Sequence, residues 1–116
     1  MKLTEQKCEA CRADMPAFSP EAARDMMQEI PEWAIKDNAI ERIFQFKDFK
    51  EAMKFVNQVA EAANQEDHHP DIHIYYNKVH IVLFTHKIKG LSKNDFILAA
   101  KIDAIVSSKQ DSGDSR

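Results

Sequence analysis

The feature that most constrains this chain is a change of hydrophobic period near its middle. From Phe49 to Ala63 the apolar residues Phe49, Ala52, Met53, Val56, Val59, Ala60 and Ala63 recur at helical spacing. Lys50, Glu51, Lys54, Asn57, Gln58 and Glu61 fill the positions between them. A stripe of that kind is buried on one side and solvated on the other. Beyond it, over Asp71–Tyr76 and Val79–Thr85, the period drops to two, as in half-buried strands. A helix with one apolar face followed by a strand pair describes a helix laid on a sheet.

The rest of the chain fits that frame. Ser19-Pro20-Glu21 carries a helix N-cap, a proline at the first helical position and an acid in the first turn, and the helix should end near Ile30, before Pro31. Trp33–Ile35 and Ala39–Phe46 read as strands around an Asp37-Asn38 turn; Ile40, Arg42, Phe44 and Phe46 share a face, with Arg42 the polar exception. Ser92-Lys93-Asn94-Asp95 resembles a capping box with Asp in place of Glu, opening a last helix to about Val106. Its apolar set is wide: Leu98, Ile102, Ile105 and Val106 on one face, Phe96, Ile97, Ala100 and Ala104 around the side. That width predicts burial on two sides and a subunit contact. The fold class is therefore α+β: a four-stranded antiparallel sheet with three helices on one face, in the order α-β-β-α-β-β-α. One domain spans residues 19–106, between a mobile segment at 1–18 and a disordered tail at 107–116.

Composition removes several function classes. A formal net charge of -3 argues against binding nucleic acid by phosphate neutralisation. No apolar run approaches the roughly 20 residues that span a bilayer, and the N-terminus has no apolar signal core. The expectation is a cytoplasmic protein without a membrane or nucleic-acid partner. Cys8 and Cys11 form one C-x-x-C without the further ligands of a structural zinc site or the βαβ context of a redox site.

Four of the five histidines lie between positions 68 and 80, and the fifth is His86. If Asn77-Lys78 forms a two-residue turn, Tyr76 pairs with Val79, Ile74 with Ile81 and Ile72 with Leu83 on the core side. The opposite side then pairs Tyr75 with His80, His73 with Val82 and Asp71 with Phe84. Continued past Pro70, this register sets His69 across from His86, with His68 beside them. Such a group suits metal ligation, proton transfer near neutrality, or simply a solvated strand that happens to be rich in histidine.

Further spacing narrows the choice. His68-His69-Pro70-Asp71, Tyr76 six residues after the proline, Thr85-His86 ten further, and Gly90-Leu91-Ser92 leading to Asp95 together resemble the signature of pterin-4a-carbinolamine dehydratases. The resemblance covers about residues 20–106. It implies dehydration of a 4a-hydroxytetrahydropterin to a quinonoid dihydropterin, recycling the cofactor of an aromatic amino-acid hydroxylase. It implies His68, His69 and His86 as the catalytic histidines, with His69 and His86 transferring protons and His68 positioning. Asp67, Pro70, Phe84, Thr85, Lys87 and Asp95 would contact the substrate, although Lys87-Ile88-Lys89 by itself reads as solvated and Asp95 by itself as the capping residue. No metal and no cofactor are implied, and the assembly would be a homodimer or homotetramer. A mammalian relative that is also a dimerisation cofactor raises the alternative of a non-catalytic interaction module. Two positions depart from the family pattern: Asn64, commonly acidic, and Ile72, commonly Trp.

Overall fold

The computed structural model describes residues 19–85 and 90–111, with side chains at 19, 21–85 and 90–106. Its elements are α1 (Pro20–Met27), β1 (Ala34–Lys36), β2 (Ala39–Gln45), α2 (Phe49–Glu66), β3 (Asp71–Tyr75), β4 (Lys78–Leu83) and α3 (Lys93–Asp111). The four strands form one antiparallel sheet in the order β1-β2-β4-β3, with the helices on one face, as the period change predicts. The expected segments at 1–18 and 112–116 lie outside the described residues. Residues 107–111, expected in the tail, continue α3, because each residue added to an existing helix gains a backbone hydrogen bond without a new nucleation cost.

Local chemistry starts each of the first two helices. The Ser19 side chain accepts the Ala22 N–H and the Asp48 side chain accepts the Glu51 N–H, satisfying donors that the first helical turns leave free. α1 ends three residues before the predicted Ile30, which turns inward and is fully buried. The buried face of α2 is Ala52, Phe55, Val59 and Ala63. The predicted stripe is therefore rotated: Phe49 is 48% exposed, and Phe55, absent from that stripe, is 0% exposed. The Phe55 ring packs 4.8 Å from Phe44 and 4.9 Å from Phe46. Aromatic contacts of this kind outweigh a slightly better helical average.

Arg42 on the core face of β2 is explained by its partners. Its guanidinium lies 4.3 Å from the Phe44 ring centroid, within cation–π range. The same group reaches Asp103 Oδ1 at 2.7 Å. That oxygen also accepts the Trp33 indole N–H at 2.8 Å. Burial pushes the Asp103 carboxyl above its ordinary range, with the Trp33 and Arg42 donors opposing that rise.

Two corrections concern α3 and the second hairpin. Ile97 and Ala100, expected to face a partner subunit, are buried by this chain itself, because α3 packs against both the sheet and α2; Ala104 is exposed. The hairpin turn is Tyr76-Asn77 rather than Asn77-Lys78, so Tyr75 pairs with Lys78, Ile74 with Val79 and Ile72 with Ile81. Asn77 is held at the turn by the residue after β2: its side-chain amide donates to the Phe46 carbonyl at 3.1 Å, and Phe46 N–H donates to the Asn77 carbonyl at 2.8 Å. Tyr76 takes the left-handed conformation this requires, with φ 57. A shift of two residues leaves every side chain on its predicted face. It changes who faces whom: His73 lies directly opposite His80, their ring centroids 5.6 Å apart.

Candidate active site

Three chain segments converge at one end of the core: the C-terminus of α2, the residue pair after β4, and the N-terminus of α3. α2 stops in a Schellman geometry, with its last carbonyls capped by the chain that follows. Asp67 adopts φ 53. Its N–H donates to the Asn64 carbonyl at 3.3 Å, and His68 N–H donates to the Ala63 carbonyl at 3.2 Å. The last residue of α2 is tied to α3 by Lys101 Nζ to Glu66 Oε2 at 3.0 Å. The chain therefore leaves α2 along a determined path, and His68 and His69 diverge from it.

His68 turns inward and is 8% exposed, with Nε2 2.6 Å from Oδ1 of the fully buried Asp95. The second Asp95 oxygen, Oδ2, accepts the Thr85 hydroxyl at 2.8 Å and the Ser92 N–H at 2.9 Å. The bond from Ser92 N–H is the reach-back half of the predicted capping box. The Thr85 hydroxyl spends its one hydrogen on Asp95. The Ser92 hydroxyl is therefore the donor in the 2.8 Å contact between them. Asp95 thus caps α3 through Oδ2 and holds His68 through Oδ1. His69 turns outward, is exposed, and has Nε2 2.9 Å from Asn64 Oδ1. Thr85 and Gly90 exchange backbone hydrogen bonds at 3.0 and 3.3 Å, an isolated antiparallel bridge.

The profile described as pterin 4 alpha carbinolamine dehydratase matches residues 16–105. The chain belongs to that family. A protein of Halorhodospira halophila named "Putative pterin-4-alpha-carbinolamine dehydratase" is 44% identical over 107 residues, covering 90% of this chain and 98% of its own. One of the same name from Saccharophagus degradans is 46% identical over 107 residues, covering 89% and 95%. The crystal structure of a transcriptional coactivator/pterin dehydratase from Brucella melitensis superposes with a TM-score of 0.74 at 34% identity, over 77% of this chain and 97% of that one. Membership makes this chain a dehydratase, a hydro-lyase, by class.

Within this dehydratase the predicted residues divide by environment. His68, Thr85 and Asp95 form one buried hydrogen-bonded unit. Asp67 is the left-handed residue at the end of α2, and Pro70 is half-buried ahead of β3. Phe84 lines a hollow on the open face of the sheet together with Val82, Glu41 and the β1–β2 turn. His86 and Lys87 lie outside the described residues, as do Cys8 and Cys11. The register on which the expected facing of His69 and His86 rested is corrected, since β3 begins at Asp71 and pairs two positions out of the predicted register; the facing itself lies outside the described residues. The hairpin histidines sit on the open face, where His80 Nε2 lies 2.7 Å from Glu41 Oε1. Among the described residues no group of three or more His, Cys, Asp or Glu is placed to hold a metal ion. No helix among them is long and apolar enough to cross a membrane.

Two partners escape the sequence reading. There Ser92 is a cap and not a member of the histidine network, and Asn64 is a departure from a pattern and not a ligand of His69. For Asn64 the signal is present: it lies within one turn of the α2 terminus that launches the histidines.

Proposed function

We propose that this chain dehydrates a 4a-hydroxytetrahydropterin to the quinonoid dihydropterin by histidine acid/base catalysis. The observation that carries the reading is the buried pairing of His68 with Asp95 beside an outward-facing His69. In the reaction the C4a–O bond breaks, the N5 lone pair forms the C4a=N5 double bond, and the N5 proton passes to a base. The departing hydroxyl takes a proton from an acid and leaves as water. A neutral imidazole and an imidazolium suit these two roles near neutral pH. His69 and His86 are assigned the transfers, and the anchored His68 the positioning of substrate or partner histidine. Asp67, Pro70, Phe84 and Lys87 belong to the proposed substrate-contacting set, while Thr85 and Asp95 act through His68.

Aligned and polarised groups of this kind supply catalysis without a metal or cofactor. The reading further includes a cytoplasmic homodimer or homotetramer, serving a hydroxylase whose spent pterin is the substrate. The alternative of a non-catalytic dimerisation module is not favoured by a family and relatives that are named as dehydratases. The test is turnover of chemically generated 4a-carbinolamine, with its spontaneous dehydration as the blank. The expected result is first-order acceleration proportional to protein. A rate equal to the blank would overturn the reading.

A further inference from the structure

Resting on the dehydratase reading, we infer that Asn64 is a positioning residue that holds His69 in its Nε2–H tautomer, so that Nδ1 is the nitrogen that exchanges protons with the substrate. A carboxamide oxygen can only accept a hydrogen bond, and an imidazole nitrogen can donate only when it carries a hydrogen. With Asn64 Oδ1 2.9 Å from Nε2, the ring keeps a hydrogen there in both its neutral and cationic forms. The hydrogen that comes and goes is then on Nδ1.

The support for Asn64 is backbone geometry. Its carbonyl accepts the Asp67 N–H in the helix-terminating turn, and Glu66, two residues on, is anchored to Lys101 of α3. The amide that orients His69 therefore stands on a pinned stretch of helix. His68 is held by the same ring atom, but on the carboxylate of Asp95. Two adjacent histidines are thus anchored alike on acceptors of different charge. A carboxylate stabilises the imidazolium it touches, whereas an amide orients the ring without adding negative charge. Asn64 consequently separates the orientation of His69 from the bias toward its protonated form.

The experiment compares the full chain with Asn64→Leu and Asn64→Asp. Nitrogen-15 NMR of the imidazole rings reads the tautomer directly and needs no turnover. Neutral His69 should be almost wholly Nε2–H in the unsubstituted protein and a mixture in Asn64→Leu. In turnover, Asn64→Leu should lose about 10-fold or more in kcat, a cost typical of a misplaced reacting group, with KM little changed. Asn64→Asp keeps the acceptor and should retain most of kcat while moving the pH–rate profile to higher pH. Asp67, His68 and Asp71 flank His69 in sequence and Asp95 holds His68, but these groups are common to all three proteins. The same tautomer mixture in the unsubstituted protein and Asn64→Leu would overturn the inference, as would an Asn64→Asp profile that does not move. Absence of turnover with the predicted tautomer would overturn the dehydratase reading alone.

Discussion

His68 Nε2 and Asp95 Oδ1 lie 2.6 Å apart across 27 positions of sequence, joining the end of α2 to the first turn of α3 inside the core. Both partners are buried, so the contact is poorly replaced by water. Asp95→Asn keeps the shape but puts an amide donor where Asp95 accepts from His68 or from Thr85. Turnover should fall at least 10-fold, and stability by about 1–3 kcal/mol in urea unfolding, the usual cost of a buried polar group left unsatisfied. Unchanged turnover in folded protein would show that the pair is structural only.

The histidines should separate into two classes. A positioned acid or base contributes about 10²–10⁴-fold, so His69→Ala and His86→Ala should each lose at least one order of magnitude in turnover. Because they act in one reaction, the double variant should lose less than the product of the two. His73→Ala and His80→Ala, on the open face of the sheet, should stay within a few-fold. Equal damage from His80→Ala and His69→Ala would move the site to the open face.

Asp67 tests the helix terminus as a backbone device. It sits at φ 53, in the left-handed region. That conformation costs a non-glycine residue on the order of 1 kcal/mol, and a β-branched side chain more. In thermal unfolding Asp67→Gly should match or exceed the unsubstituted protein, while Asp67→Val should lose about 1–2 kcal/mol. Equal stability of the two variants would mean that the turn relaxes.

The raised Asp103 carboxyl predicts a pH effect of determined sign. Its folded-state value lies above its unfolded one. Its contribution to stability is therefore fully present below the ordinary aspartate range and is lost as pH rises through the folded value. In paired unfolding curves the unsubstituted protein should lose stability relative to Asp103→Asn as pH is raised from about 3 toward neutrality, across the ordinary aspartate range near about 3.9. A difference independent of pH would remove Asp103 as the source.

Much of the architecture was legible in one dimension because it depends on local patterns. The Ser19 cap, the Asp37-Asn38 turn, the alternation of Val79, Ile81 and Leu83, and the element order all express near-neighbour chemistry. The spacing of His68, His69, Pro70, Tyr76, His86 and Asp95 likewise marked the family before any contact was known. What depended on partners far along the chain was decided only by folding. The turn settled on Tyr76-Asn77 because Asn77 bonds Phe46, just past β2, a competition that hairpin propensity does not contain. Phe55 went inward because Phe44 and Phe46 were there to meet it, and Ile97 and Ala100 were covered by a helix that lies earlier in the chain. At the site, the residue types were set by the sequence and Asn64 meets His69 locally at the end of α2, but the meeting of His68 with Asp95 was set by the packing of α2 against α3. Hydrogen bonds between distant segments exist only once hydrophobic burial has brought their donors and acceptors to about 3 Å, and no periodicity along the chain records that distance.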